Sequence, residues 1–286
     1  MEFRPSPWAD RRLRLVLFAA AVLGALIGLN ALVLHATTDP LADVRAYYDA
    51  GARLNAGQPL YDQAADTNDA SFYRYPPLLA IAFRPLALLP YPIAAGIWEA
   101  FLVATFVLTL RRLGFRQRTW LAVGMLGLPI AWSLAIGQAQ VLVTALLVVA
   151  TPGAVALAAH IKLLPALAVL YWLGRRDWTS LGRFVAWAAG LGVVQLILEP
   201  AGTLAFLGFP SLTQVGQVNN LSPYAISPLL WAALVATGAV VTLRLAPTRF
   251  GWAAAVAFSV LATPRLLSYQ LSTLLAALRR PDEDAR

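Results

Sequence analysis

The chain has no cysteine and only two histidines, His35 and His160. The first absence excludes disulfides, thiol nucleophiles and cysteine metal sites, and the second leaves too few imidazoles for a histidine-rich metal centre. No Gly-rich phosphate loop occurs, so nucleotide-sugar and ATP chemistry of the usual folds is absent with it. Charge is scarce too: 13% of residues are charged against 59% hydrophobic, and the mean hydropathy is +0.67. A globular domain needs far more polar surface to cover itself. The composition is that of an integral membrane protein.

What charge there is has a strong bias. A net +8 would indicate nucleic acid as the partner of a soluble protein, but here the basic residues are placed as topology signals. Arg4, Arg11 and Arg12 precede the first apolar run and Arg14 stands at its start; Arg111, Arg112, Arg116 and Arg118 follow the next long one. Arg175, Arg176, Arg183, Arg244, Arg249, Arg279, Arg280 and Arg286 complete a set that can all face the cytoplasm. Arg45, Arg53, Arg74, Arg84, Lys162 and Arg265 do not fit that scheme and need separate explanations.

Residues 13–34 form the first apolar run, which at about 1.5 Å per residue rises about 33 Å and spans a bilayer core. It lacks a small-residue cleavage pattern and is expected to be retained. With the N-terminus inside, the polar stretch 35–75 becomes an outer loop. Residues 92–110 return inward, and the 15-residue, proline-bounded segment 76–90 between them is too short to cross, so it is expected to be re-entrant or interfacial. Residues 119–136 lead out to GQAQ (137–140), and 138–150 lead back. Segment 153–174 is broken by AHIKLLP (159–165) into two part-length helices. Residues 184–198 exit, 199–224 form a second outer loop, and 225–243 re-enter. A last pair, 250–263 and 266–278, meets at Thr263-Pro264-Arg265 toward the outer side. The expected fold is all-α: one transmembrane domain over 1–286 with about nine or ten hydrophobic helices, some short, and no internal repeat.

The first outer loop is the place to look for chemistry. Tyr47, Ala50 or Gly51, and Leu54 recur at helical spacing, which predicts a short interfacial helix over 43–56. Arg45 and Arg53 flank Asp49 one turn away on either side, marking it as a structural, ionised carboxylate. Asp43 has no such local partner and is free to act as a base, or to cap the helix. Tyr47 and Tyr48 are either site residues or an interfacial aromatic belt. Asp62, Asp66 and Asp69 have the pattern of solvated loop residues. Lys162, inside an apolar stretch, costs about 2.5–3.5 kcal/mol on insertion unless it meets water, a partner or a bound anion. Arg265 poses the same problem. A fixed phosphate would compensate both; snorkelling to an interface is the alternative. Gln138 and Gln140 either serve the site or bridge helices.

These residues in this order resemble glycosyltransferase family 87, polyprenol-phosphate-mannose-dependent α-mannosyltransferases of the GT-C superfamily. The resemblance runs through Asp43, Tyr47-Tyr48, Ala50-Gly51, the G-x-P-L-Y-D of Gly57 to Asp62, the R-Y-P-P of Arg74 to Pro77 and the P-L-x-L-L-P of Pro85 to Pro90. It continues in GQAQ, in I-K-x-x-P at Ile161 to Pro165 and in N-x-S within Asn219 to Ser222. Two positions depart: Gln140 stands where the family has asparagine, and Gln270 where an acidic residue or histidine is common. The chain is also short for the family.

The resemblance implies a GT-C-like bundle in the cell membrane and a polyprenyl-phosphate hexose as donor, with no certain cofactor and metal dependence open. It also implies a lipid or glycan acceptor on the outer face of the membrane. It implies Asp43 as the base of an inverting transfer, Lys162 and Arg265 as holders of the leaving phosphate, and Arg74, Tyr48 and Gln138 as residues orienting sugar or phosphate. A donor dissolved in the membrane needs no nucleotide loop, in keeping with the composition. The competing readings are a non-enzymatic lipid or solute transporter, since broken helices with buried cations also suit anion translocation, and an inactive GT-C scaffold.

Overall fold

The computed structural model describes residues 11–62, 72–208 and 219–281. Arg4, Asp66, Asp69 and Arg286 lie outside the described residues. Within them all regular structure is helical. Four helices are long and apolar enough to cross a membrane: α1 (Arg11–Thr38), α4 (Tyr91–Leu113), α10 (Trp178–Leu198) and α12 (Pro228–Leu245). The intervening helices are shorter: α2 (Ala42–Asn55), α3 (Pro77–Phe83), α5 (Gln117–Met125), α6 (Gly127–Ala135), α7 (Gln140–Val149), α8 (Pro152–Ile161), α9 (Leu170–Gly174), α11 (Pro200–Leu207) and α13 (Gly251–Leu261). Stretches Leu86–Leu88, Leu164–Val169, Pro223–Ala225 and Ser268–Leu278 are 3-10 helical.

Several expectations are refined. Segment 76–90 is the short α3 followed by a 3-10 turn, as its length required. The single span expected over 119–136 is two helices meeting at Leu126. Gly124, Gly127 and Pro129 explain the break, since glycine weakens a helix interior and proline cannot donate to the preceding turn. The described residues of segment 199–224, expected as a second outer loop, include α11 near its start and a 3-10 turn near its end. The apolar face of α2 is turned into the protein rather than toward lipid, because Val44, Tyr47, Ala50, Gly51 and Leu54 are all buried.

Close backbone approach holds α1 to the α5–α6 pair. A Cβ added at Gly28 would lie 2.4 Å from the Gly127 carbonyl carbon, and one at Gly127 would lie 2.3 Å from the Gly24 oxygen. Among lipid tails there is no hydrophobic drive between helices, so small residues that let backbones touch supply the adhesion through dispersion. At the perimeter, only 6% of the apolar window of α10 and of α12 is buried, leaving Val185, Ile197 and Leu229 outward for hydrocarbon. The core lies between these walls. One continuous cluster joins Tyr47, Phe83, Leu102, Leu147, Val155, Trp252 and Leu275, and so ties α2, α3, α4, α7, α8, α13 and the last 3-10 stretch together.

Candidate active site

The site begins where α2 meets the end of α6. The first residues of α2 have no side-chain cap: Leu41 occupies the capping position in a left-handed conformation, and Asp43 lies in the first turn. The amides there are satisfied by another helix. Leu41 N–H donates to the Ala135 carbonyl at 3.0 Å and Asp43 N–H to the Ile136 carbonyl at 3.1 Å. The orphan donors that start one helix thus meet the orphan acceptors that end another. This removes capping as the duty of the Asp43 side chain and leaves its carboxylate available.

The turn after α6 presents Gln138 to that carboxylate. Gly137 has φ +67, and a Cβ there would lie 2.2 Å from Val44 Cγ2, so only glycine lets the turn seat against α2. Trp98 Nε1 holds the same turn by donating to the Gly137 carbonyl at 2.8 Å. Gln138 is 0% exposed. Its Nε2 donates to Asp43 Oδ2, and its Oε1 accepts from the Tyr47 hydroxyl at 2.7 Å. The Tyr47 oxygen in turn accepts from Ala139 N–H at 3.2 Å, and the Tyr75 hydroxyl lies 3.2 Å from Gln138 Nε2. With the amide orientation set by Tyr47, its N–H must face Asp43.

The cations approach from the other flank. Lys162 ends α8 at the break expected from the sequence, and its Nζ donates to Gln140 Oε1 at 2.7 Å. The ammonium also sits 5.3 Å from the centre of the Tyr75 ring and 5.0 Å from that of Tyr269, a distance at which ring faces attract cations. Arg74 acts electrostatically on both Asp43 and Lys162, and Arg265 on Tyr269. Asn220 fixes the Arg265 turn. Its Oδ1 accepts from Leu266 N–H at 2.9 Å and its Nδ2 donates to the Pro264 carbonyl at 2.9 Å. Leu221 N–H adds a bond to the Leu266 carbonyl at 2.8 Å.

Burial pushes the Asp43 carboxyl up from its ordinary value of 3.8 to about 6, while Lys162, Arg74 and the Gln138 bond pull the other way. Desolvation disfavours the carboxylate more than those neighbours restore it. A base with that value is ionised near neutrality and still accepts a proton readily. Among the described residues no three His, Asp or Glu side chains come together.

Of the residues expected from the sequence, Gln138 bonds to Asp43, and Lys162 and Arg74 act on it electrostatically; Arg265 is linked to this group only through Tyr269. Tyr48 does not join them. Its hydroxyl donates to the Leu89 carbonyl at 2.8 Å and its ring packs edge-on to Tyr91, with centroids 5.3 Å apart. Tyr47 is the tyrosine at the site. It stands four residues after Asp43 and so shares its helix face, whereas Tyr48 lies about 140° around the helix from Asp43. Asp49 pairs with Arg45 at 3.0 Å, as the one-turn spacing indicates. Gln140 and Tyr75 lie in the GQAQ and R-Y-P-P runs already singled out, whereas Tyr269 carried no comparable signal, because its partners are remote in sequence.

Three curated relatives are similar to the chain. The polyprenol-phosphate-mannose-dependent alpha-(1-2)-phosphatidylinositol pentamannoside mannosyltransferase of Mycolicibacterium smegmatis is 29% identical over 206 residues, covering 65% of this chain and 49% of the relative. The protein of the same description in Mycobacterium tuberculosis is 27% identical over 208 residues, covering 65% and 47%. A polyprenol-phosphate-mannose-dependent alpha-(1-2)-phosphatidylinositol mannoside mannosyltransferase of M. smegmatis is 30% identical over 181 residues, covering 51% and 41%. The chain therefore spans about half the length of the curated relatives it matches or less. No solved structure matches it. The family model of glycosyltransferase family 87 matches residues 72–279, a segment that holds Arg74, Gln138, Lys162 and Arg265 and begins after Asp43. The chain belongs to glycosyltransferase family 87.

Proposed function

We propose that the protein is a membrane glycosyltransferase that moves a hexose from a polyprenyl-phosphate donor to a lipid or glycan acceptor at the outer face of the cell membrane, with inversion at the anomeric carbon. The names of its relatives favour mannose as the sugar and a lipid-linked acceptor. The carrying observation is a single carboxylate, Asp43, oriented by Gln138 and flanked by cations on elements other than its own helix.

Asp43 takes the proton of the acceptor hydroxyl as that oxygen bonds to the anomeric carbon. The bond from that carbon to the phosphate oxygen breaks, and its electron pair leaves with the polyprenyl phosphate. Lys162, with Arg265 and Arg74 nearby, stabilises the negative charge that grows on the phosphate. Base and leaving-group holders come from different elements, α2 for the one and the breaks after α8 and α13 for the other. Attack from one side with departure on the other is inversion.

The test is transfer of radiolabelled mannose from a short prenyl-phosphate mannose to membrane lipid extracts by the purified full chain. Wild type should label a product and Asp43→Asn should not, with donor still bound. Full transfer by Asp43→Asn removes the base assignment, and movement of the donor across vesicles without new product would replace the enzyme by a transporter.

A further inference from the structure

Next to Lys162 lies a cavity of about 110 Å³ between α7, the Leu163–Pro165 segment, α13 and the Ser268–Leu278 stretch. Its polar wall consists of Gln140, Lys162, Ser259, Thr263, Gln270 and Thr273. Several of these groups are already satisfied by protein. Gln140 Oε1 receives Lys162, and Gln140 Nε2 donates to Thr273 Oγ1 at 2.6 Å, which also meets Thr144 Oγ1 at 2.9 Å. Ser259 Oγ donates back to the Val256 carbonyl at 2.8 Å. Gln270 Oε1 accepts from Leu267 N–H at 3.3 Å.

What remains is mainly donor capacity. An ammonium carries three N–H bonds and Lys162 spends one on Gln140. The Gln270 Nε2 group and the Thr263 hydroxyl have no protein partner among the described residues. No carboxylate lines the cavity. A wall of unspent N–H and O–H donors beside Lys162 fits a compact, multiply accepting anion, and the tetrahedral phosphate group is that shape. The size agrees, because about 110 Å³ is room enough for a phosphate group.

We infer that this cavity is the phosphate subsite, with Gln270 and Thr263 as phosphate ligands alongside Lys162. The assignment rests on the glycosyltransferase reading only for the source of the phosphate, the polyprenyl donor. Lys162 then serves two spaces: it grips the phosphate in the cavity, and its charge reaches Asp43. The hexose lies outside the cavity, toward Asp43, so that the bond to be broken points into the donor-lined wall.

The experiment measures binding without turnover. Farnesyl phosphate, farnesol and inorganic phosphate are titrated separately into the purified full chain in nanodiscs, for wild type, Gln270→Glu, Gln270→Leu and Thr263→Val. Farnesyl phosphate should bind wild type. Gln270→Leu and Thr263→Val should each weaken it about tenfold, the worth of one hydrogen bond to a charged group, and Gln270→Glu should abolish it by charge repulsion. Farnesol should bind more weakly and without sensitivity to these changes. Inorganic phosphate competing with the same sensitivity supports a general phosphate site, and its failure to compete supports a site for the lipid phosphate. Gln270→Glu keeps the side-chain size, so its unfolding temperature without ligand separates lost binding from lost fold. Should the leucine and valine variants fail to fold, Gln270→Glu alone decides. Farnesyl phosphate binding equally well to the folded Gln270→Glu protein overturns the subsite. Variant-sensitive binding with no mannosyl transfer by wild type would instead overturn the transferase reading and leave the subsite standing.

Discussion

Replacing Gln138 by leucine tests the geometry of the base most directly. The side chain is 0% exposed, and three groups depend on it: Asp43 Oδ2 receives its N–H, the Tyr47 hydroxyl donates to its oxygen at 2.7 Å, and the Tyr75 hydroxyl lies 3.2 Å from its nitrogen. Leucine fills similar space and offers neither. Tyr47 is itself 0% exposed, so its O–H loses its acceptor inside the protein, at a cost of about 1–3 kcal/mol of stability. Asp43 loses a hydrogen bond that favours its charged form, worth about 1.5–3 kcal/mol. Since about 1.4 kcal/mol corresponds to one pH unit, the carboxyl should titrate about one to two pH units higher. Starting from about 6, it would move to between roughly 7 and 8. At pH 7 the ionised fraction then drops from about nine-tenths to between about one-half and one-tenth, and kcat/KM falls about two- to tenfold from ionisation alone. The assay is the pH profile of kcat/KM for transfer from a prenyl-phosphate mannose, run from pH 5 to 9.5. The acid limb should shift upward by those one to two pH units. An unmoved acid limb, or a loss equally deep at every pH, would refute the positioning role and make Gln138 a ligand of the sugar.

Asp43→Asn should trade activity for stability. The folded carboxyl titrates at about 6 against an ordinary 3.8, so the folded state holds the proton more tightly than the unfolded chain. The ionisation penalty is therefore absent below about pH 4 and complete above about pH 6, on the order of 1–3 kcal/mol. Thermal unfolding should show Asp43→Asn above wild type at pH 7.5 and level with it at pH 3; a gain independent of pH would contradict this. Gly28→Leu should separate α1 from α6, because its Cβ already starts 2.4 Å from the Gly127 backbone, and overpacking of this kind costs about 1–3 kcal/mol or more. Proteolysis in detergent should speed up at α1 if that seam matters. Asn220→Ala frees the Pro264–Leu266 turn, where two side-chain bonds at 2.9 Å are lost. The expected result is a raised donor KM with little change in the pH profile. Lys162→Met should likewise raise donor KM several-fold while leaving acceptor KM near wild type, and equal effects on both would return Lys162 to a structural role.

Sequence alone determined the environment and the cast. Hydropathy and the placement of arginines make a membrane protein without reference to any fold, because bilayer thickness and the cost of burying charge act on composition directly. The lone carboxylate Asp43, the buried cation Lys162 and the short segment 76–90 were legible for the same reason, each being a local violation of apolar patterning. Tyr47 was legible in principle through its four-residue offset from Asp43. Only the tertiary structure decided what Asp43 does with its side chain: the carbonyls that cap α2 come from α6, more than ninety residues away. Helix-end hydrogen bonds can be met from anywhere in the fold, so a capping residue and a catalytic one look alike in sequence. The partition of GQAQ was likewise invisible beforehand. Gln138 turns to Asp43 and Gln140 to Lys162 because a left-handed glycine between α6 and α7 rotates the chain there, and that backbone turn is stabilised by Trp98 and seated against Val44 on distant helices.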